Sequence, residues 1–169
     1  MQVKEQTKSG FTLIELLVVI SIIGLLATLA IVALKNTREK ANIAKTKGDL
    51  KQIQTAIEVA RDRENKVLGR DYRDGNGVTG SGCSDCSCRP PSYTLDSPQC
   101  ITSMTNAFNK LGFAGLLRDP WESPYLIDEN EYEFSGDPCR RDTVRSAGPN
   151  RMIGGGDDLS IYIPFYLCD

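Results

Sequence analysis

The sequence predicts an α+β fold: one long N-terminal helix, membrane-spanning over its first half, packed on a small antiparallel sheet. Three observations carry this. Phe11–Leu34 is an apolar run holding a single charge, Glu15. Residues 35–64 then continue without proline and are rich in Ala, Lys, Glu, Gln and Arg, all good helix formers. The remainder is polar and carries short aromatic or β-branched runs between clusters of Gly, Pro and Asp. Helix first and strands afterwards is an α+β layout.

The 169 residues suffice for one membrane segment and one modest globular domain. A net charge of −2 gives no basic surface for nucleic acid, and the absence of His excludes an imidazole base or imidazole metal ligand. Six cysteines, Cys83, Cys86, Cys88, Cys100, Cys139 and Cys168, all follow the apolar segment. In an exported domain an even number favours disulfides over reactive thiols. A thiolate zinc site from Cys83, Cys86, Cys88 and Cys100 competes, although such quartets usually form from two well-separated Cys-x2-Cys pairs. Spacing alone does not give the connectivity.

As a helix, Phe11–Leu34 rises about 36 Å, enough to cross ~30 Å of hydrocarbon. Lys4 and Lys8 outweigh Glu5 at its front, which places that end in the cytoplasm and the bulk of the chain outside. A cleaved secretory signal fits poorly, since the run is too long and lacks an A-x-A site. A plain signal anchor or a buried core helix leaves Glu15 unexplained. A charge at the centre of a membrane helix costs about 2.5–3.5 kcal/mol and normally marks function.

Lys8-Ser9-Gly10 followed by Phe11-Thr12-Leu13-Ile14-Glu15-Leu16 closely resembles the class III signal of type IV pilins and type II secretion pseudopilins. The resemblance implies a pilin-like fold and a leader, residues 1–10, that a prepilin peptidase removes between Gly10 and Phe11. It implies N-methylation of Phe11 and an assembly role for Glu15. It also implies a homopolymer with other pilins or pseudopilins, an assembly platform protein and, indirectly, a motor ATPase. The physics agrees: the new α-amino group, with an ordinary pKa near 8, stays largely cationic and can pair with a carboxylate in lipid. Glu15 of one subunit neutralising the Phe11 terminus of its neighbour would set the assembly register.

Residues 35–64 form the amphipathic second half of the helix, with Leu50, Ile53, Ile57 and Ala60 on one stripe. Gly24 and Gly48 are weak points that allow either bending or close helix contact. Burial of the apolar half by identical neighbours, head to tail, gives an open helical assembly. The globular domain, 65–169, starts with a disulfide-pinned loop over 69–100, dense in Gly, Ser, Pro and Asp. Residues 102–117 read as a short helix capped at Thr102 or Ser103. Tyr125–Ile127 and Glu131–Phe134, separated by Asp128-Glu129-Asn130, read as a hairpin, with further strands at Thr143–Ser146 and Leu159–Phe165. Trp121 reads as a core anchor.

The loop 146–158 carries Gly154-Gly155-Gly156 beside Asp157 and Asp158, which would repel a phosphate; no P-loop Lys follows. Its oxygen-rich composition suits Ca²⁺, which takes 6–8 oxygen ligands, or a plain turn. "DPWESPY" (Asp119–Tyr125) followed by "SAGPN" and "GGGDDL" resembles the carboxy-terminal part of major pseudopilins, whose late loop holds calcium. That resemblance implies Asn150, Asp157 and Asp158 as metal ligands with backbone carbonyls, one charge fewer than where relatives carry Asp at position 150. A Cys139–Cys168 bridge would resemble the disulfide-bounded terminal loop of type IV pilins.

The reading that follows is a structural prepilin, without enzymatic activity. It is anchored in the inner membrane by a single pass with its domain outside the cytoplasm, and then polymerised into a pilus-like filament or secretion pseudopilus. A minor tip subunit is the alternative within the family, although the initiating type often lacks the glutamate that stands here at Glu15. A membrane-anchored extracytoplasmic binding protein or enzyme is the alternative from another class. No carboxylate pair sits in a recognisable catalytic setting.

Overall fold

The computed structural model describes residues 10–168 apart from 72, 81, 91–93 and 134–135. The chain divides into two compact units, one ending at Ala41 and one beginning at Asn42. A single helix, α1 (Leu13–Glu64, 52 residues), runs through both. It starts two residues later than the sequence pattern suggests, because Thr12 caps it. The Thr12 carbonyl accepts the first helical bond from Leu16 N at 3.3 Å. Glu15 Oε2 reaches back to Thr12 N at 2.8 Å, and Glu15 N lies 3.3 Å from Thr12 Oγ1. This reciprocal pair is a capping box, worth about 1 kcal/mol at a helix start. At the far end Asn65 takes a left-handed backbone (φ 52°) and Lys66 N returns to Arg61 O at 3.2 Å, closing the last turn.

In the first unit the whole apolar face of α1 is open: Phe11, Leu13, Ile14 and the run to Leu34 are all exposed. In the second unit α1 buries Leu50, Ile53, Ile57 and Ala60, the stripe read from the sequence, together with Arg61. These pack into one core with Met104 and Phe108 of α2, with Tyr125, Leu126 and Ile127, and with Val144 and Ile163.

Helix α2 (Pro98–Lys110) begins four residues before the expected start. Ser97, not Thr102 or Ser103, is the cap, accepting from Cys100 N, and Pro98 occupies the first helical position, where its missing N–H is harmless. The helix stops well short of Leu117 because Gly112 turns the chain at φ 92°. The sheet is a meander of β1 (Leu126–Asp128), β2 (Thr143–Ser146) and β3 (Leu159–Tyr162), antiparallel throughout. Val144 stands opposite both Ile127 and Ile161, which lines up one apolar face. β3 ends before Phe165, as Pro164 has no N–H for the ladder.

Three further expectations are corrected. The hairpin between Tyr125–Ile127 and Glu131–Phe134 does not form: residues 131–133 are turn, Phe134 lies outside the described residues, and β1 pairs with β2 instead. The reason is that Glu129 and Glu131 are both buried and used as acceptors for loop amides, which a solvent-facing hairpin would not permit. The 69–100 segment is not all loop, for it contains a 3-10 turn at Asp85–Cys88 and the first turn of α2. Val78 and Thr79 even return to Val67 and Leu68 through backbone bonds of 3.0 and 2.8 Å, with Val78 in the core. Finally, Trp121 is only half-buried and outside the core, whose anchoring aromatics are Tyr125 and Phe108.

Candidate functional site

The expected cleavage position lies just outside the helix. Gly10, Phe11 and Thr12 precede the helix, and Phe11 is 88% exposed. A peptidase needs extended, reachable backbone, and the helix begins two residues beyond the Gly10–Phe11 bond. Residues 1–9 lie outside the described residues. Glu15, expected to pair with an ammonium, is held meanwhile by the Thr12 hydroxyl at 2.7 Å and the Thr12 amide. The Thr-x-x-Glu spacing carried that signal in the sequence.

The six cysteines form three bridges, Cys83–Cys86, Cys88–Cys100 and Cys139–Cys168, and no described cysteine is free. The zinc alternative falls away, because bonded sulfurs are not thiolate ligands. The first two bridges pin a loop that two buried acids fasten to the sheet. Asp85, fully buried, pairs with Arg89 at 2.7 Å and with Arg145 of β2, while Arg89 reaches Asp128 of β1 at 2.6 Å. Glu129 accepts the Ser84 amide at 2.7 Å, the Ser84 hydroxyl, and the Thr79 hydroxyl at 2.7 Å.

Burial pushes the Glu129 carboxyl up to about 7, against the pull of its Ser84 and Thr79 hydrogen bonds. Burial likewise raises Asp142 to about 6, against the Glu131 and Asn130 amides and Arg61. Ordinary carboxyls titrate near 4 when unfolded, so between about pH 4 and 7 the folded chain holds more protons than the unfolded chain. Stability therefore rises as pH falls through that window, by roughly 2 kcal/mol between pH 7.5 and 5.5 for Glu129 alone. Asp71, held down to about 2 by Arg73, acts only below this range. The expected result is a melting temperature several degrees higher at pH 5.5 than at 7.5, with a flatter profile in Glu129→Gln. A wild-type melting temperature that falls on acidification over this range contradicts it.

The acidic glycine loop joins Asn150 to Asp157 and ties Asp158 to Gly154. Asp157 Oδ2 accepts Asn150 N at 3.0 Å, Asp158 Oδ2 accepts Gly154 N at 2.8 Å, and Asn150 Oδ1 accepts Met152 N at 2.7 Å. Two glycines make the closure possible. A Cβ at Gly148 (φ 65°) would sit 2.4 Å from Asp157 O, and one at Gly155 would sit 1.9 Å from Asn150 Nδ2. Below the loop, buried Asp119 accepts Ser146 Oγ at 2.6 Å and Ser123 N at 2.9 Å, fixing the end of β2. The remaining oxygens, Oδ1 of Asp157 and Oδ1 of Asp158, are buried without a hydrogen-bond donor. Such orphaned acceptors are costly unless something electropositive meets them. Two such carboxylate oxygens in one loop are the donor chemistry a hard cation such as Ca²⁺ takes.

Sequence reasoning missed Arg61, Glu131 and Asp142, a buried cluster beneath the carboxy-terminal segment. Arg61 Nη1 lies 3.5 Å from both Glu131 Oε2 and Asp142 Oδ2. Arg61 could have been found, since it sits four residues after Ile57 on the apolar stripe; the acids had no comparable signal.

Comparison with known proteins agrees with this architecture. Residues 6–31 match the family model of the prokaryotic N-terminal methylation motif. The type II secretion system core protein G of Pectobacterium carotovorum is 37% identical over 89% of this chain and 81% of that protein. The core protein G of Escherichia coli K12 is 28% identical, over 89% of this chain and 88% of its own. The type IV major alpha-pilin of Moraxella bovis is 33% identical over 53% of this chain and 57% of its own. No solved structure gives a significant match. With a methylation motif opening a bare apolar helix, and core G proteins aligned across helix and globular unit alike, the chain belongs to the type II secretion system core protein G family and is a filament subunit of the prepilin type.

Proposed function

We propose that the chain is the major subunit of a secretion pseudopilus rather than of a surface pilus. The observation that carries this reading is the reach of the similarity: core G proteins align over 89% of the chain, the alpha-pilin over 53%. In this reading a prepilin peptidase cuts between Gly10 and Phe11, and Phe11 is N-methylated. The subunit waits in the inner membrane with its domain outside the cytoplasm, then joins an extracytoplasmic filament through a platform protein and a motor ATPase. Its role is structural and not enzymatic.

Glu15 then has two partners in succession. Before cutting, the Thr12 box satisfies it; afterwards the cationic Phe11 terminus of a neighbour competes for the same carboxylate. Glu15→Ala is expected to leave cleavage intact and to cut filament yield by at least tenfold. The readouts are the mass of the mature amino terminus and filament counts by microscopy, alongside secretion of substrate protein. Normal filaments from that variant reject the register role. Long surface fibres, with secretion untouched by deletion, would favour a pilus.

The acidic loop is the proposed calcium site, with Asp157 and Asp158 offering their orphaned oxygens and Asn150 its amide oxygen. Bound there, the ion would neutralise the two carboxylates and tie down the loop between β2 and β3. Saturation at ~100 times Kd is worth about 2.7 kcal/mol. A chelator is therefore expected to lower the melting temperature of detergent-solubilised protein by several degrees, with calcium restoring it. Asp158→Asn is expected to abolish that response. A wild-type protein indifferent to chelator ends the proposal.

A further inference from the structure

One flank of α1 in the second unit is left uncovered. Thr55, Ala56 and Val59 of α1, with Leu111 and Phe113 after α2, line a groove of about 750 Å³ that Lys51, Gln52 and Arg63 line as well. Val59 is 59% exposed, although it sits between the buried Ile57 and Ala60. Among the described residues of this unit, the other large hydrophobic side chains left exposed are Met152 (62%) and Tyr162 (63%). The unit thus carries one hollow with apolar walls at Val59, Leu111 and Phe113 and cations beside them and, on other elements, two apolar side chains in solvent.

Met152 and Tyr162 are not equivalent as plugs. Tyr162 lies at the end of β3, on the sheet face opposite Val144 and Ile161, on a strand whose backbone is held in the ladder. Met152 stands on the acidic loop, its amide held by Asn150 Oδ1 and its carbonyl accepting Gly155 N at 3.2 Å. A Met side chain on a braced loop can enter a groove, and its flexibility lets it fill an irregular one.

The occupant follows from the polymer. The groove lies on the same unbroken helix as the exposed front, Leu13–Leu34, which in the filament reading is the part that other copies cover. A filament grows only through head-to-tail contacts between two different surfaces, whereas groove on groove would close a dimer. We propose that the groove at Val59 receives Met152 of a neighbouring copy. The contact rests on the filament reading and does not require the cation.

The test uses the full-length chain produced with its own secretion apparatus. Since every described native cysteine is bridged, a Val59→Cys, Met152→Cys double variant under mild oxidant reports the new pair. The expected result is a ladder of multimers on a non-reducing gel, absent from either single variant. Filaments visible by microscopy but giving no ladder overturn the contact while leaving the filament reading intact; no filaments from wild type strike that reading instead. A dimer from Val59→Cys alone, or a ladder from its pairing with Tyr162→Cys and not Met152→Cys, also overturns it. As a second arm, Val59→Arg is expected to lower filament yield at least tenfold with an unchanged melting temperature. Unchanged yield refutes the proposal.

Discussion

Replacing Arg61 with Ala is expected to cost about 3–5 kcal/mol, the range for removing one partner of a buried ion cluster. Arg61 is 2% exposed and faces Glu131 and Asp142, both equally buried. It also donates to Pro164 O at 2.6 Å and lies 5.4 Å from the centre of the Tyr166 ring. Without it two carboxylates remain in the interior with no cation, which is the expensive outcome. A typical domain has only 5–15 kcal/mol in total. The variant is therefore expected to lose a large part of its urea midpoint in detergent, with the slope unchanged. Arg61→Lys keeps the charge but not the planar fork that serves several acceptors, so an intermediate loss is expected. A shift below about 1 kcal/mol for Arg61→Ala would place the cluster in water and remove its structural role.

Opening the Cys139–Cys168 bridge is expected to cost a similar amount, about 3–4 kcal/mol in the chain-entropy model for a closed loop of its size. The bridge spans a sequence separation of 29, far more than the 3 of Cys83–Cys86 or the 12 of Cys88–Cys100. It holds a tail whose amides at Tyr166, Leu167 and Cys168 all donate to Glu131 Oε1, at 3.1, 2.8 and 3.1 Å. The double change to Ser at Cys139 and Cys168 is expected to lower the melting temperature markedly and to expose the tail to protease. The same double change in Cys83 and Cys86 should cost much less. Since Glu131 belongs to the Arg61 cluster as well, the Arg61 and Cys139–Cys168 effects should not add. A double-mutant cycle with strictly additive losses would separate the two.

Both sites show where sequence patterns stop. The apolar stripe of α1, its continuation from Phe11 to Glu64, and two of the three strands at nearly their full extents were legible because each depends on local periodicity or composition. So was the acidic loop, whose three residues are near one another in the chain. The start of α2 was within reach too, since Ser97 followed by Pro98 is a start signal, but the glycine- and serine-rich stretch before it masked the boundary. Glu129 and Glu131 misled for a different reason. In a polar run they read as the solvent side of a hairpin, whereas their carboxylates are consumed by amides 45 and 35 or more positions away.

The amino-acid order alone determined the amphipathic and lipid-compatible halves of one helix, its processing motif, and the α+β plan. These follow from nearest-neighbour spacing and from the free energy of taking a single side chain out of water. Only the tertiary structure decided how Cys83, Cys86, Cys88 and Cys100 pair, which acids are buried, and that β1 takes β2 as its partner. Those outcomes depend on distances between residues far apart in the chain, where each buried carboxylate must find donors once the core has removed its water.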